Sequence, residues 1–194
     1  MIAIRFATPA DAPVLSAFAA RTFREAFAPM VAPDAMETYL AQSFPEASVR
    51  TELADPRSVF VIATTDAGEW AGYAKLFFGG DGCPPVGCAP LCPPDCPPAP
   101  PAVRQLPSSN RVKLWRLYTA REHQGRGVGA ALLERAARVA RDRGGATLWL
   151  TVNTGNTGAV RFYERHGFVR TGFTSFNLGG EVQHDFLMER SLSR

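Results

Sequence analysis

The chain has 194 residues, of which 46% are hydrophobic and 20% are charged, and these ordinary globular values exclude wholesale disorder. Lys and Arg number 21 against 18 Asp and Glu, and a net charge of +3 is too balanced for a domain that binds nucleic acid through phosphates. No apolar run approaches the ~20 residues of a membrane span, and the first residues are not typical of a signal peptide. We therefore expect one cytoplasmic domain over residues 1–194, an enzyme or a binding domain, with neither nucleic acid nor a membrane as partner.

The first part of the chain predicts a strand, three helices and two strands. Thr8, Pro9 and Asp11 mark a helix start, because Thr is a good N-cap, Pro suits the first helical position and an acidic residue favours the helix N-terminus. The predicted elements are a strand at 1–6, helices at 9–27, 33–42 and 45–54, and strands at 58–63 and 70–78, the last two joined by a hairpin at 66–68.

A change of composition follows these strands. All four cysteines and ten of the sixteen prolines lie between Asp81 and Pro107. Repeated Pro-Pro pairs forbid helix and interior strand in this stretch. We therefore expect residues 79–110 to be a loop insertion with polyproline character, joining the third and fourth strands of one sheet.

The cysteines of this insertion permit three interpretations. Four thiolates can hold zinc in a tetrahedral site, and these four lie within fourteen residues. The usual knuckle, two pairs of Cys-x2-Cys, is absent, and a cytosolic location disfavours stable disulfides. The pattern therefore favours free thiols in a surface loop, so zinc is not expected; a metal site and disulfide or redox use are the alternatives. The residues concerned are Cys83, Cys88, Cys92 and Cys96.

After the insertion, strands and helices alternate. A strand at 112–119 leads through a glycine-rich turn into a helix at 130–142, which Gly144 and Gly145 end. A buried strand at 147–152 and a short helix at 156–165 come next. The chain then closes with an antiparallel pair at 168–177 and 182–189.

The glycine-rich turn reads Gln124-Gly125-Arg126-Gly127-Val128-Gly129. Its glycines let the backbone approach a ligand, and the following helix start points unpaired N–H groups and a positive dipole end at that ligand. This combination favours an anion, best matched to a pyrophosphate, and Arg126 adds a cation. A plain tight turn is the alternative. A Walker loop is a poor match because its lysine is absent. A dinucleotide-binding fold is also a poor match, because the turn does not follow the first strand.

A second motif lies downstream, with Asn156-x-x-Ala159 followed by Phe162-Tyr163 and Gly167-Phe168. With Gln124-x-x-Gly127-x-Gly129, this order resembles the GNAT family of acyl-CoA-dependent N-acetyltransferases over nearly the whole chain apart from the insertion. The resemblance implies an α/β (α+β) fold: a mixed, mostly antiparallel, twisted sheet of about seven strands. Helices cover both of its faces, and strands 4 and 5 splay apart.

The resemblance also implies a site for acetyl-CoA. Its acyl-pantetheine arm would lie in the splay like an added strand, against backbone groups of Leu117, Tyr118 and Thr119, and Asn156 would contact the same arm. Tyr163 would be the general acid for the leaving thiolate, since a phenol stays protonated at neutral pH; a core aromatic is the alternative. The pyrophosphate would be held by backbone N–H groups of residues 125–130. The cofactor-binding residues of the loop are then Gln124, Gly125, Arg126, Gly127, Val128, Gly129 and Ala130.

The acceptor side resembles a subfamily. Residues 22–27, 33–40 and 43–44 and the tail at 171–188 are similar to PaiA-like polyamine N-acetyltransferases, which implies spermidine, spermine or another primary amine. A polyamine pocket displays carboxylates, and the candidates are Glu25, Glu37, Glu181 and Asp185, each of which is equally interpretable as a surface charge.

The sequence leaves the identity of the general base open. Many members of the family carry a glutamate on the fourth strand that helps to deprotonate the amine, and this strand offers Trp115 and Arg116 instead. A water chain or His184 is then the expected base.

The leading interpretation is an acetyl-CoA-dependent N-acetyltransferase that acts on a small-molecule amine, with a homodimer as an additional expectation. The alternatives are acetylation of proteins or peptides, a non-catalytic acyl-CoA sensor of the same fold, and a metal- or redox-regulated interaction module centred on the cysteines.

Overall fold

The structure is a computed structural model that describes residues 1–79, 110–178 and 181–192. Within these ranges the chain forms strands and helices in nearly the predicted order. The strands are β1 (Ile2–Phe6), β2 (Ser58–Thr65), β3 (Trp70–Phe77), β4 (Arg111–Thr119), β5 (Thr147–Asn153), β6 (Val169–Leu178) and β7 (Glu181–Ser191). The helices are α1 (Ala12–Phe27), α2 (Pro33–Ser43), α3 (Glu46–Ala54), α4 (Val128–Asp142) and α5 (Thr157–Arg165).

The strands form one seven-stranded sheet in the order β1-β2-β3-β4-β5-β7-β6. Neighbouring strands are antiparallel, with the exception of the central pair β4 and β5, which are parallel. This parallel pair is joined through α4, since parallel neighbours need a crossover connection. The predicted mixed, mostly antiparallel sheet is therefore confirmed.

Helices cover both faces of the sheet and bury side chains of its central strands on two sides. On one face α4 and α5 pack on the strands through residues such as Leu132 and Val160. On the other face α1, α2 and α3 pack through residues such as Leu15, Met36 and Val49. We call these the α4–α5 face and the α1–α3 face; successive residues of a strand point alternately to them.

Two helix starts differ from the predicted positions by two or more residues. Residues Pro9–Asp11 form a 3₁₀ turn, and α1 begins at Ala12. Pro13 explains the shift, because it has no N–H to donate to the carbonyl of Pro9, as a continuous α-helix would require. Helix α4 begins at Val128, two residues earlier than predicted, inside the glycine-rich turn.

Residues 80–109 lie outside the described part of the chain, and the four cysteines with them. The strands on either side of this segment, β3 and β4, pair directly with each other, from Gly72 with Thr119 to Phe77 with Lys113. In the described ranges no helix has the length and apolar character needed to cross a membrane.

Candidate active site

The two central strands separate soon after they meet. Pairing between β4 and β5 covers Arg111 to Lys113 on one strand and Thr147 to Trp149 on the other, and no later residue of either strand extends it. The register between β3 and β4 shifts at the same level, so that Trp115 is an extra residue in β4. Such a bulge bends its strand. The predicted splay is therefore present, and it opens toward the carboxyl ends of both strands.

The glycine loop lies at the open end of the splay. Gly125 and Gly127 have positive φ values of 73° and 79°, which favour glycine. The Gly127 carbonyl accepts from the Ala131 N–H at 3.0 Å, so the first turn of α4 begins inside the loop. The Gln124 amide donates to the Thr119 carbonyl at 3.2 Å and fastens the loop to the end of β4. This arrangement exposes the loop and leaves the first N–H groups of α4 available to an anion.

Residues 117–119 of β4 line the splay with their backbone, while their side chains alternate between the two faces. Leu117 packs on the α4–α5 core. Tyr118 faces the other side and stacks on Tyr73, with the ring centroids 5.8 Å apart. Because these residues follow Lys113, their backbone groups on the β5 side have no strand partner. An extended ligand can therefore bond to them.

Asn156 is the N-cap of α5, and its side-chain oxygen accepts from the Ala159 N–H at 3.1 Å. The structure thus gives Asn156 a role in helix capping. Capping uses the side-chain oxygen and leaves the amide N–H₂ group as a donor.

Tyr163 lies on α5 and is 8% exposed. Its ring packs edge-on against Phe162 and Phe168, with centroids 5.3 and 5.5 Å away. Helix α5 adjoins the glycine loop here, because a Cβ on Gly129 would lie 3.6 Å from the Phe162 ring. Burial raises the pKa of the Tyr163 phenol, so the group stays protonated across the neutral range.

The acceptor candidates occupy different surroundings. Glu25 is exposed on α1 and pairs with Arg21 at 3.5 Å, and Glu37 accepts from Arg24 through both carboxylate oxygens. Asp185 is 6% exposed on β7. The Glu181 side chain lies outside the described part. Of these carboxylates, Asp185 is therefore the one that the described structure buries.

A buried ionic cluster on the α1–α3 face escaped the sequence analysis. Glu52 of α3 lies 2.9 Å from the Lys75 ammonium and 2.8 Å from the Arg116 guanidinium. Burial by itself would raise the pKa of Glu52, but the two cations outweigh it and lower the pKa. The cluster ties α3 to the strand segment that carries the bulge. A lysine at an inward position of the otherwise apolar strand β3 was the available signal.

His184 lies next to Asp185 on β7, and therefore points to the opposite face of the sheet. It is exposed, and its Nδ1 lies 2.9 Å from the Ser175 hydroxyl oxygen. This position separates His184 from the α1–α3 face, where Asp185 points.

Comparison with known proteins gives consistent results. The sequence profile described as “Acetyltransferase (GNAT) family” matches residues 21–168. An uncharacterized N-acetyltransferase of Mycobacterium tuberculosis (strain ATCC 25618 / H37Rv) is 32% identical over 182 residues, which are 94% of this chain and 98% of the relative. Over 67 residues, 34% of this chain and 35% of the relative, the chain is 37% identical to a streptothricin acetyltransferase of Streptomyces lavendulae.

Among solved structures, a PaiA N-acetyltransferase from Thermoplasma acidophilum, in complex with coenzyme A, matches with a TM-score of 0.72. The match covers 98% of this chain and 99% of that one at 18% identity, so it bears on the fold. The family profile extends from α1 to the residue before β6 and includes the splay, the glycine loop and Tyr163. The chain therefore belongs to the GNAT family of N-acetyltransferases.

Proposed function

We propose that the protein transfers the acetyl group of acetyl-CoA to a primary amine of a small molecule, with polyamines as the first substrate class. The observation that carries the proposal is the splay, which opens onto a glycine loop at a helix start. An extended arm with a pyrophosphate at one end fits such a groove, because the strand edges supply peptide groups and the loop supplies N–H donors.

Different groups of the chain bind acetyl-CoA and donate a proton during the transfer. Acetyl-CoA supplies an activated thioester. The backbone of 117–119 holds the acyl arm, and the loop at 125–130 holds the pyrophosphate. As the amine nitrogen bonds to the thioester carbon and the carbon–sulfur bond breaks, Tyr163 donates its proton to the leaving sulfur, and the proton that the nitrogen loses restores the phenol. Its raised pKa ensures that the proton is present at neutral pH.

The acceptor class rests on the parts of the chain outside the cofactor motifs. The segments similar to PaiA-like enzymes lie in α1, at α2 and its end, and in β6 and β7. The PaiA structure of Thermoplasma matches this chain over these elements too. Asp185 is a buried carboxylate suited to one ammonium group, and exposed Glu25 is a second anionic position.

The decisive experiment is an acetyl-transfer screen. Purified protein and acetyl-CoA are mixed with polyamines, amino acids, aminoglycosides or peptides, and free thiol release is measured against a reaction without acceptor. We expect turnover with spermidine or spermine. Turnover of peptides alone would favour a protein N-acetyltransferase, and tight acetyl-CoA binding without turnover of any acceptor would favour an acyl-CoA sensor.

A further inference from the structure

Asp185 has a carboxylate that the folded protein buries without fully satisfying it. Its Oδ1 atom is buried and has no hydrogen-bond partner among the described residues. Leaving a charged acceptor buried and unbonded costs free energy, and native proteins usually avoid it. A buried, unsatisfied oxygen therefore points to a ligand that donates a hydrogen bond or a proton.

The direction of the side chain follows from its neighbours in β7. Phe186 and Met188 pack on the α4–α5 core, so Asp185 and Leu187 face the α1–α3 side. Across β5, Leu187 pairs with Thr151, which shares this face with Trp149. Trp149 pairs with Lys113, the last β4 residue before the splay. Asp185 itself pairs with Asn153 at the end of β5. It therefore lies one strand behind the β5 edge of the splay, on the side where α1 to α3 lie.

Aromatic rings and a lysine lie on this side of the sheet, next to the start of the splay. The Lys113 ammonium lies 3.9 Å from the centroid of the Trp115 ring and 4.6 Å from that of Trp149. The chain between α1 and α2 reaches the same region, since a Cβ on Gly155 would lie 3.4 Å from the Met30 sulfur. The Lys113 ammonium already lies against these rings and interacts with the Asp185 carboxylate, so this side of the sheet holds a cation among groups that favour one.

The charged groups that act on Asp185 are few. Burial raises its pKa to about 6, and the Thr151 hydroxyl, the Lys113 ammonium and the neighbouring His184 each lower it in part. Lys113 itself has a pKa lowered to about 8 by burial, with Asp185 acting in the opposite direction. At neutral pH the carboxylate is mostly ionised, and its affinity for a proton is higher than that of an ordinary aspartate.

We propose that Asp185 is the general base of the transfer, and that it takes a proton from the ammonium form of the acceptor. This inference depends on the proposed function. Asp185 accepts one proton from R–NH₃⁺, and the free amine then attacks the thioester carbon. As the carbon–sulfur bond breaks, Tyr163 protonates the sulfur. The second proton leaves the nitrogen and replaces the one that Tyr163 gave, and Asp185 releases its proton to water.

The test is the pH dependence of kcat/KM for Asp185→Asn, with the best amine found in the screen. In the wild type we expect activity to fall as the pH drops through about 6, where the carboxylate becomes protonated. The variant should lose about 10²- to 10⁴-fold in kcat near neutral pH, lack this acid limb and gain activity steadily as alkali deprotonates the amine. Asp142→Asn, at an exposed aspartate near the end of α4, is the matched control and should retain the wild-type profile.

Thermal unfolding separates catalysis from structure. A carboxyl group whose pKa is raised by folding stabilises the protein below its unfolded pKa, and this contribution is lost as the pH rises through the folded value. We therefore expect Asp185→Asn to unfold at the same or a higher temperature than the wild type at pH 8. A variant that melts earlier there, or that keeps the acid limb, overturns the proposal.

Three further outcomes distinguish the two proposals. An increase in KM with unchanged kcat would assign Asp185 to anchoring the amine and overturn its role as base. If the wild-type protein releases no thiol with any amine, the proposed function fails instead. A wild type that is active, with a variant that is equally active, refutes the assignment of Asp185 alone.

Discussion

At the scale of single residues, glycine can be required by a positive φ angle or by a close steric contact, and the positions of the glycine loop differ in this respect. A Cβ on Gly125 or Gly127 would meet nothing within 4 Å, so their positive φ angles are what require glycine. Gly129 has no such angle, and a Cβ there would lie 3.5 Å from the Thr119 hydroxyl oxygen, an ordinary contact. The three glycines therefore tolerate substitution to different degrees.

We expect Gly127→Val to weaken acetyl-CoA binding at least tenfold from a wild-type Kd in the micromolar range that is usual for enzyme substrates. A β-branched residue resists positive φ at a cost of about 1–3 kcal/mol and moves the N–H groups of the loop. Gly129→Ala is the matched control and should bind within a few-fold of the wild type. Calorimetry measures both, and equal affinity of the Gly127 variant would refute the loop assignment.

Tyr163→Phe tests the general acid. The ring keeps its contacts with Phe162 and Phe168, so the melting temperature and acetyl-CoA affinity should barely change. Turnover should fall by about ten- to a thousand-fold, because a thiolate that leaves without a proton donor is a poorer leaving group. Steady-state kinetics with a saturating amine measures the effect. Full activity of the variant would refute the general-acid role and leave Tyr163 as a core aromatic residue.

At the scale of elements, the bulge in β4 is held from the α1–α3 face. Arg116, the residue after the extra Trp115, meets Glu52 of α3, and Glu52 also meets Lys75 of β3. Two cations and one anion therefore join a helix to two strands at the level where the splay opens. Removing the anion would leave both cations without it in a poorly solvated place.

We expect Glu52→Gln to lower the free energy of unfolding by about 3–5 kcal/mol at pH 7. Because its pKa is lowered by folding, the stabilisation is lost as the pH falls through the folded value, so the difference from the wild type should shrink in acid. Glu46→Gln, which removes an exposed pair with Arg50, should cost less than about 1 kcal/mol. Urea unfolding at pH 7 and at acid pH well below the ordinary glutamate pKa tests both variants, and equal stabilities at pH 7 would contradict the structural role.

Local sequence patterns predict most of the strands and helices, but they do not predict the ionic cluster of Glu52, Lys75 and Arg116. Hairpin turns and the glycine-rich crossover identify which neighbouring strands are antiparallel and which are parallel. The contact between Arg116 and Glu52 joins residues 64 positions apart, and no local period reports it. Side chains alternate between the two faces along β7, and this alternation is visible in the sequence. It predicts that His184 shares a face with Phe186 and Met188, and that Asp185 points to the other face.

At the scale of the whole molecule, the sheet consists of two antiparallel parts, β1 to β4 and β5 to β7, joined by one short parallel pairing. The predicted insertion at 79–110 falls between β3 and β4, which pair without a gap in their register apart from the bulge. The position of these strands therefore does not depend on a long connection.

We expect that deleting Asp81–Pro107 and bridging the ends with a short turn containing glycine leaves folding and acetyl-CoA binding intact. Loop-closure entropy depends only logarithmically on length, so the free energy of unfolding should shift by about 1 kcal/mol. Urea unfolding and calorimetry test this, and zinc analysis of the full chain accompanies them. An unfolded deletion variant together with about one equivalent of zinc in the full chain would instead support a structural thiolate site.

The short pairing between β4 and β5 also has a consequence for hydrogen exchange. Beyond Lys113 and Trp149, the amides that face the splay have no strand partner, so they should exchange with deuterium faster than amides of the same strands that face β3 or β7. A ligand bonded along this edge would slow their exchange, and by mass action the slowing would increase with ligand concentration. The exchange rate of these amides at the centre of the sheet would then depend on the concentration of acetyl-CoA around the protein.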